Sequence, residues 1–262
     1  MEGAIVKHTL KALSAVAVLA AAALPLTANA VLIDGIEVGT GGNFHFVAST
    51  IMEQKVGGGI ITAVGDQLEG VGLVTQIFDG ATLVWSALPG QELTFSFGGY
   101  TANNVAANHI TFTGGSVSFF HDLAADADFG TGAGFTDGSN WLTLAGTSFL
   151  DTVTGTNATL VSDGTLLGAS ISGTGIGLLS VTGGLAGGFF DTNGITAIGT
   201  GNIADFEINS SFNNQTSPFL FGTHGTANIS QPAVSVPEPA SLALVALGLL
   251  GIAGSSRKSK KK

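Results

Sequence analysis

Four aspartates crowd one polar stretch, HDLAADADFGTGAGFTDGSN (residues 121–140), and they are the side chains best placed to do chemistry in this sequence. Asp122, Asp126, Asp128 and Asp137 offer hard carboxylate oxygens beside His121, and calcium takes six to eight such oxygens. Asp126-x-Asp128-x-Gly130 with Asp137 at the twelfth position follows the outline of a helix-loop-helix calcium loop. It departs from that loop in three ways: Thr131 stands where the turn glycine belongs, Asp137 stands where a bidentate Glu belongs, and no helical periodicity flanks it. Two readings remain open, a calcium site of another type and a solvated acidic loop joining two strands.

Signals for catalysis are sparse. His45, His109, His121 and His224 are the histidines beyond residue 30, none spaced as a His-Glu-x-x-His pair, and no Gly-x-Ser-x-Gly elbow occurs. Glu92 and Glu207 read as residues on the wet face of strands. The expectation is a protein that is not an enzyme. Gly173-x-Gly175-x-Gly177 lacks the Lys of a phosphate loop and reads as turn glycine. Trp85, Tyr100 and Trp141 read as core residues, with a stacking platform for sugar rings as the other reading.

The elements that would position these groups read as strands. Phe44, Phe46 and Ala48 alternate with His45, Val47 and Ser49; Leu93, Phe95 and Phe97 alternate with Thr94 and Ser96; Ala204, Phe206 and Ile208 alternate with Asp205, Glu207 and Asn209. Period-two alternation places one face in a core and the other in water. Ile60–Val64, Val71–Phe78, Trp141–Leu144, Thr152–Val161, Ile176–Val181 and Phe219–Phe221 read as further strands. Asp79-Gly80 between VTQIF and ATLVW signals a hairpin of type I′. Turns every 8 to 12 residues without long helices point to an all-β fold, an antiparallel β-sandwich of jelly-roll-like form.

The two ends differ from this middle. Lys7 and Lys11 precede the apolar run Ala12–Leu24, and Ala28-Asn29-Ala30 closes it with the small-x-small pattern that signal peptidase accepts, so residues 1–30 read as a cleaved signal peptide. At the other end Pro237-Glu238-Pro239 precedes the uncharged run Ala240–Gly254, then Arg257, Lys258, Lys260, Lys261 and Lys262. Fifteen helical residues span roughly 22 Å, short of a hydrocarbon core of about 30 Å, which makes a weak transmembrane anchor. The basic cluster holds its end on the cytoplasmic side. The organisation read from this is a signal peptide at 1–30, a secreted β domain at 31–230, a linker at 231–235 and a tail at 236–262.

Between the ends, residues 31–235 carry sixteen acidic side chains and one basic one, Lys55. Such a surface repels nucleic acid, leaving neutral partners or a cation bridge. The sequence contains no cysteine, which removes disulfides, thiol nucleophiles and cysteine-ligated metals. Thirty-six glycines fall in this interval, and with so many apolar residues at strand spacing they read as turn and bulge positions.

The tail, VPEP followed by LALVALGLLG and a basic terminus, resembles the PEP-CTERM sorting signal of Gram-negative bacteria, although its basic tail has only one Arg. The resemblance implies that an exosortase, a membrane cysteine transpeptidase, recognises Pro237-Glu238-Pro239, and that the protein passes through the inner membrane to the cell surface or extracellular matrix. The patterns ELTFSFGGYT, GGSVSFFHD, ADADFGTG and TDGSNWLTL look like the flocculation-associated PEP-CTERM proteins. That similarity implies a protein promoting cell aggregation, floc or biofilm formation with extracellular polysaccharide, and no catalytic residues. A secreted carbohydrate-binding module is the alternative, and a secreted hydrolase the third reading.

Overall fold

The computed structural model describes residues 31–39, 41–168, 170–214 and 223–232, within a compact unit spanning Ala30–Val234. Strands dominate it: β1 (Val31–Ile33), β2 (Ile36–Val38), β3 (Phe44–Lys55), β4 (Gln67–Asp79), β5 (Thr82–Ser86), β6 (Glu92–Val105), β7 (His109–Asp122), β8 (Ser139–Thr147), β9 (Phe149–Leu150), β10 (Asn157–Ala158), β11 (Leu160–Thr165), β12 (Ser172–Gly183), β13 (Ile195–Thr196), β14 (Ile203–Ala204), β15 (Phe206–Asn214) and β16 (Thr223–Ser230). One helical turn, α1 (Gly187–Phe190), is the helix among the described residues.

The main sheet closes on itself. β3, β4, β6, β7, β11, β12, β15 and β16 pair antiparallel in that order, and β16 returns to β3 with Ile229 opposite Phe46 and Ala227 opposite Ala48. Because spatial order follows chain order, the described unit is an up-and-down β-barrel and not a two-layer sandwich. All-β and antiparallel hold; the sandwich does not. The reason is physical: alternation reports that one face of each strand is buried, and a sandwich and a barrel both bury one face.

One position in the ring is shared by two strands. β8 pairs with the second half of β7 and of β12, while β11 pairs with the first halves. Between them the chain leaves the wall, forms the small β9–β10 pair, and comes back. This excursion explains why Thr152–Val161, expected as one strand, is a turn followed by two short strands.

Aromatic rings fill one end of the barrel. Phe190 of α1 packs edge-on against Phe44 and Phe46, with ring centres 5.2 and 5.4 Å apart, and lies 5.5 Å from Trp141. Trp141 in turn donates from Nε1 to the Ile33 carbonyl at 3.1 Å, tying the β1–β2 hairpin over this end, where Ile36 and Val38 are fully buried. Trp85, Tyr100 and Trp141 are all buried, so the core reading of these rings stands.

Glycine does more than turn the chain. Gly72 and Gly70 on β4 lie opposite Phe95 and Phe97 on β6, and Gly173 and Gly177 on β12 lie opposite Phe212 and Ile208 on β15. A Cβ at Gly72 would collide with the facing ring, one at Gly70 with the facing ring and the Met52 carbonyl, one at Gly173 with the Asp163 carbonyl and the Phe212 ring, and one at Gly177 would press on Ile208. Strand glycines therefore give aromatic rings a floor within the narrow lumen, and Gly173, Gly175 and Gly177 sit in a strand, not in the turn expected of them.

Two local expectations shift. Ile60–Val64 is a loop, not a strand: the Asp66 carboxylate accepts the Thr62 and Ala63 N–H groups at 2.8 and 3.0 Å and folds the segment into a turn. The β4–β5 hairpin forms, with Asp79 opposite Thr82 and φ of +60° at Gly80. Its central residues are thus Gly80 and Ala81 with glycine first, as in a type II′ turn and not type I′. Asp79 instead uses its carboxylate to accept the Gly41 N–H at 2.6 Å. Phe219–Phe221 lies outside the described residues.

Candidate functional site

The acidic segment connects β7 to β8, and it is moored from below. Glu92, at the start of β6 and opposite Asp122, accepts the Ala127 N–H at 3.1 Å through Oε1. It is buried, contrary to the wet-face reading, and burial pushes its pKa up against the lowering effect of the Asp126 and Ala127 amides. Above it, Asp122, Asp126 and Asp137 each place a carboxylate oxygen so that all three lie within 4.8 Å of one another.

Asp128 does not join them. Its carboxylate accepts the Thr131 hydroxyl and the Gly130 N–H, both at 2.8 Å, and its backbone bridges to Ala133. The Thr131 hydroxyl, then the Gly130 amide, holds its pKa below the ordinary value. Four expected ligands thus become three, at the side of an open cleft of about 390 Å3 that Asp34, His121, Asp122 and Asp137 line. His121 is buried there, with Nε2 3.4 Å from Gln91 Oε1 and Nδ1 3.5 Å from Asp34 Oδ2. Three clustered carboxylates, two of them lining the open cleft, are of the chemistry that a hard cation keeping part of its water shell would take.

Sequence reasoning missed a second constellation. His109, at the start of β7 and facing out of the barrel, is covered by the excursion between β8 and β11. Its Nδ1 lies 2.6 Å from Asp163 Oδ1 and its Nε2 3.0 Å from Asp151 Oδ2. Burial lowers the imidazole pKa, but the two carboxylates outweigh it and the net shift is upward. For Asp151, burial raises the pKa, and the Thr154 hydroxyl, His109 and the Thr154 and Val153 amides together bring it down to about 2. With both ring nitrogens engaged, His109 acts as a clamp on the excursion and has no nitrogen free to take a substrate proton. Asp151-Thr-Val-Thr-Gly has the composition of an Asp-anchored turn, a signal present in the sequence; nothing local marks His109 as its partner.

Asp205, expected in the wet-face series, is also buried. It accepts N–H groups from Val181, Thr192 and Asn193 at 2.7, 2.7 and 2.6 Å, a structural carboxylate that holds the segment after α1 to the wall. Glu207 is half-buried and accepts Asn209 Nδ2 at 2.6 Å. Gln231, expected to open the linker, is buried and donates from Nε2 to the Phe190 carbonyl at 2.7 Å.

On the outside of β12, β15 and β16 most exposed residues are uncharged and polar, Ser172 and Thr174, then Asn209, Ser211 and Asn213, then Thr226 and Asn228, with Ile176 of β12 an exposed apolar residue beside Asn209. The register sets them side by side, with Ser211 between Thr174 and Thr226, and Asn209 opposite Asn228. Hydroxyls and amides in such rows can both donate to and accept from sugar hydroxyls.

Pro237, Glu238 and Pro239, the basic residues Arg257, Lys258, Lys260, Lys261 and Lys262, and the cleavage residues Ala28 and Ala30 lie outside the described residues. In the amino-acid sequence, residues 235–258 match the family model of the PEP-CTERM protein-sorting motif. No curated protein matches the chain, and no solved structure matches it. The motif implies processing by an exosortase and export with transient anchoring in the membrane.

Proposed function

We propose that the barrel is the working part of an exported protein and acts at the cell surface or in the extracellular matrix, without catalysis, by promoting cell aggregation together with extracellular polysaccharide. The observation that carries this reading is the sorting motif at residues 235–258, which follows in the sequence soon after the last described strand of the barrel, ending at Ser230. Two features support the polysaccharide partner. The described barrel has one basic side chain, Lys55, so a neutral glycan meets less electrostatic opposition than an anionic one. The exposed face of β12, β15 and β16 presents the hydroxyl and amide rows that a neutral glycan would hydrogen-bond.

The same face favours a second reading, a secreted carbohydrate-binding module without a role in aggregation. A strain lacking the gene tests both. Under the first reading its cells disperse while polysaccharide output is unchanged, and a variant carrying Asn209→Asp, Ser211→Asp and Asn228→Asp fails to restore aggregation. Normal aggregation of the deletion strain, with saturable glycan binding by the secreted protein, favours the second and sinks the first.

A further inference from the structure

The aromatic plug fills only one end of the barrel. Toward the other, where β3 runs out and β4 begins, the lumen holds two adjoining cavities of about 70 and about 40 Å3. All eight strands of the ring contribute to their walls, and Leu68, Leu160, Phe212, Ser210 and Glu53 border both. Ile110 and Phe112 complete the larger chamber, Phe97 and Tyr100 the smaller. Space at this level exists because Gly175, opposite Ser210, has no side chain: a Cβ there would stand 2.5 Å from the Ser210 hydroxyl.

The β3–β4 loop borders this end. Ile60 and Ile61 line the larger chamber, Ile61 is buried, and three successive glycines, Gly57, Gly58 and Gly59, precede them with φ of +85°, +98° and +86° and open space on their side-chain faces. Asp66 folds the far side of this loop and stands 3.9 Å from Lys55, which lies at the rim. An eight-stranded barrel has an interior of the width that either fills with side chains or holds one small ligand. This one does the first at the plugged end and leaves room for the second at the other.

We propose that the lumen binds a small neutral molecule, a single ring or a short alkyl chain, that bears one hydroxyl group. Size, polarity and charge each narrow the class. At about 10–15 Å3 of such space per water, the larger chamber takes about five waters' worth of ligand, too little for a sugar chain. The walls are mainly Leu, Ile and Phe, which suits an apolar body. Ser210 and Ser162, both facing the larger chamber, supply hydroxyls for one polar contact. Glu53 borders both chambers, and the one cation lining the larger chamber, Lys55, already stands 3.9 Å from Asp66 in a domain of sixteen acidic side chains, so an anion is disfavoured.

Titration of p-cresol into the protein recovered from the culture medium tests this, read by methyl NMR and by melting. The expected result is saturable shifts of the Leu68, Ile110 and Leu160 methyls, with Leu142 and Leu144 at the plugged end unmoved, and a Tm that climbs with the logarithm of ligand concentration. Benzoate, the same ring with a negative charge, should bind at least tenfold more weakly. Ser210→Leu should weaken p-cresol at least tenfold while Leu142 and Leu144 keep their wild-type shifts; if that variant does not fold, Ser162→Leu serves in its place. Absence of saturable shifts up to the solubility limit, equal binding of benzoate, or wild-type affinity in the filled variant overturns the proposal. None of these outcomes depends on whether the protein aggregates cells.

Discussion

His109 and Asp151, forty-two residues apart in the chain, meet as a buried pair at 3.0 Å, and that contact pins the excursion between β8 and β11 to the outer wall of the barrel. Its proton balance sets a pH window. His109 holds its proton more tightly folded than unfolded, so its contribution is complete below about pH 6.5, the unperturbed imidazole value, and is lost as pH rises through the higher folded value. Asp151, brought down to about 2, contributes above its ordinary 3.8 and loses that contribution as pH falls toward 2. This cluster therefore stabilises most between about pH 4 and 6.5. Asp151→Asn should cost about 3 kcal/mol at pH 5.5, and His109→Gln should flatten the loss of Tm between pH 6 and 8. An unchanged alkaline slope in His109→Gln would show that the imidazole is neutral in the fold.

The strand glycines make a sharper prediction than composition does. Gly72→Ala would drive a Cβ into the Phe95 ring and should destabilise by about 1–3 kcal/mol in chemical denaturation. Gly183→Ala, on β12 with open space around it, should change stability by less than about 0.5 kcal/mol. Equal effects at the two positions would refute the ring-floor account.

Here lies the boundary of what the sequence makes legible. The faces of β3, β6 and β15 can be read from alternation alone, because Phe44 and Phe46, Leu93 and Phe95, and Phe206 and Ile208 each recur at period two within their strand. Closure cannot, since it depends on β16 finding β3 across most of the domain, a pairing that no local pattern encodes. Glu92 and Asp205 follow the alternation of strand residues yet are buried, because loops fold over them and supply N–H groups that only the assembled fold brings near. The acidic segment is legible as a carboxylate cluster; that Asp128 is spent on its own turn is a matter of backbone geometry.

A calcium site at Asp122, Asp126 and Asp137 would have a distinct signature. Adding calcium to chelator-treated secreted protein should raise Tm, by the equivalent of about 2.7 kcal/mol at one hundred times Kd. Asp126→Ala and Asp137→Ala should abolish the shift, whereas Asp128→Ala should keep it. No shift in the wild type, or an equal shift in Asp126→Ala, would leave the segment a solvated loop.

Processing at both ends is checked by mass spectrometry of the secreted protein. The expected N-terminus is Val31 and the expected C-terminus lies close to Pro237. Recovery of an intact Lys262 outside the cell would contradict exosortase handling of the tail.

The ring has a consequence in time. Among the described residues β16 is the last strand in chain order, and it is the one that fills the gap between β15 and β3. Until it arrives, the nascent domain is an open sheet with two raw edges, each a template for pairing with another chain. A protein shortened before Thr223 would keep those edges for good and should associate with itself. With β16 in place the same edges are paired to it, so self-adhesion through sheet edges is switched off when the ring closes.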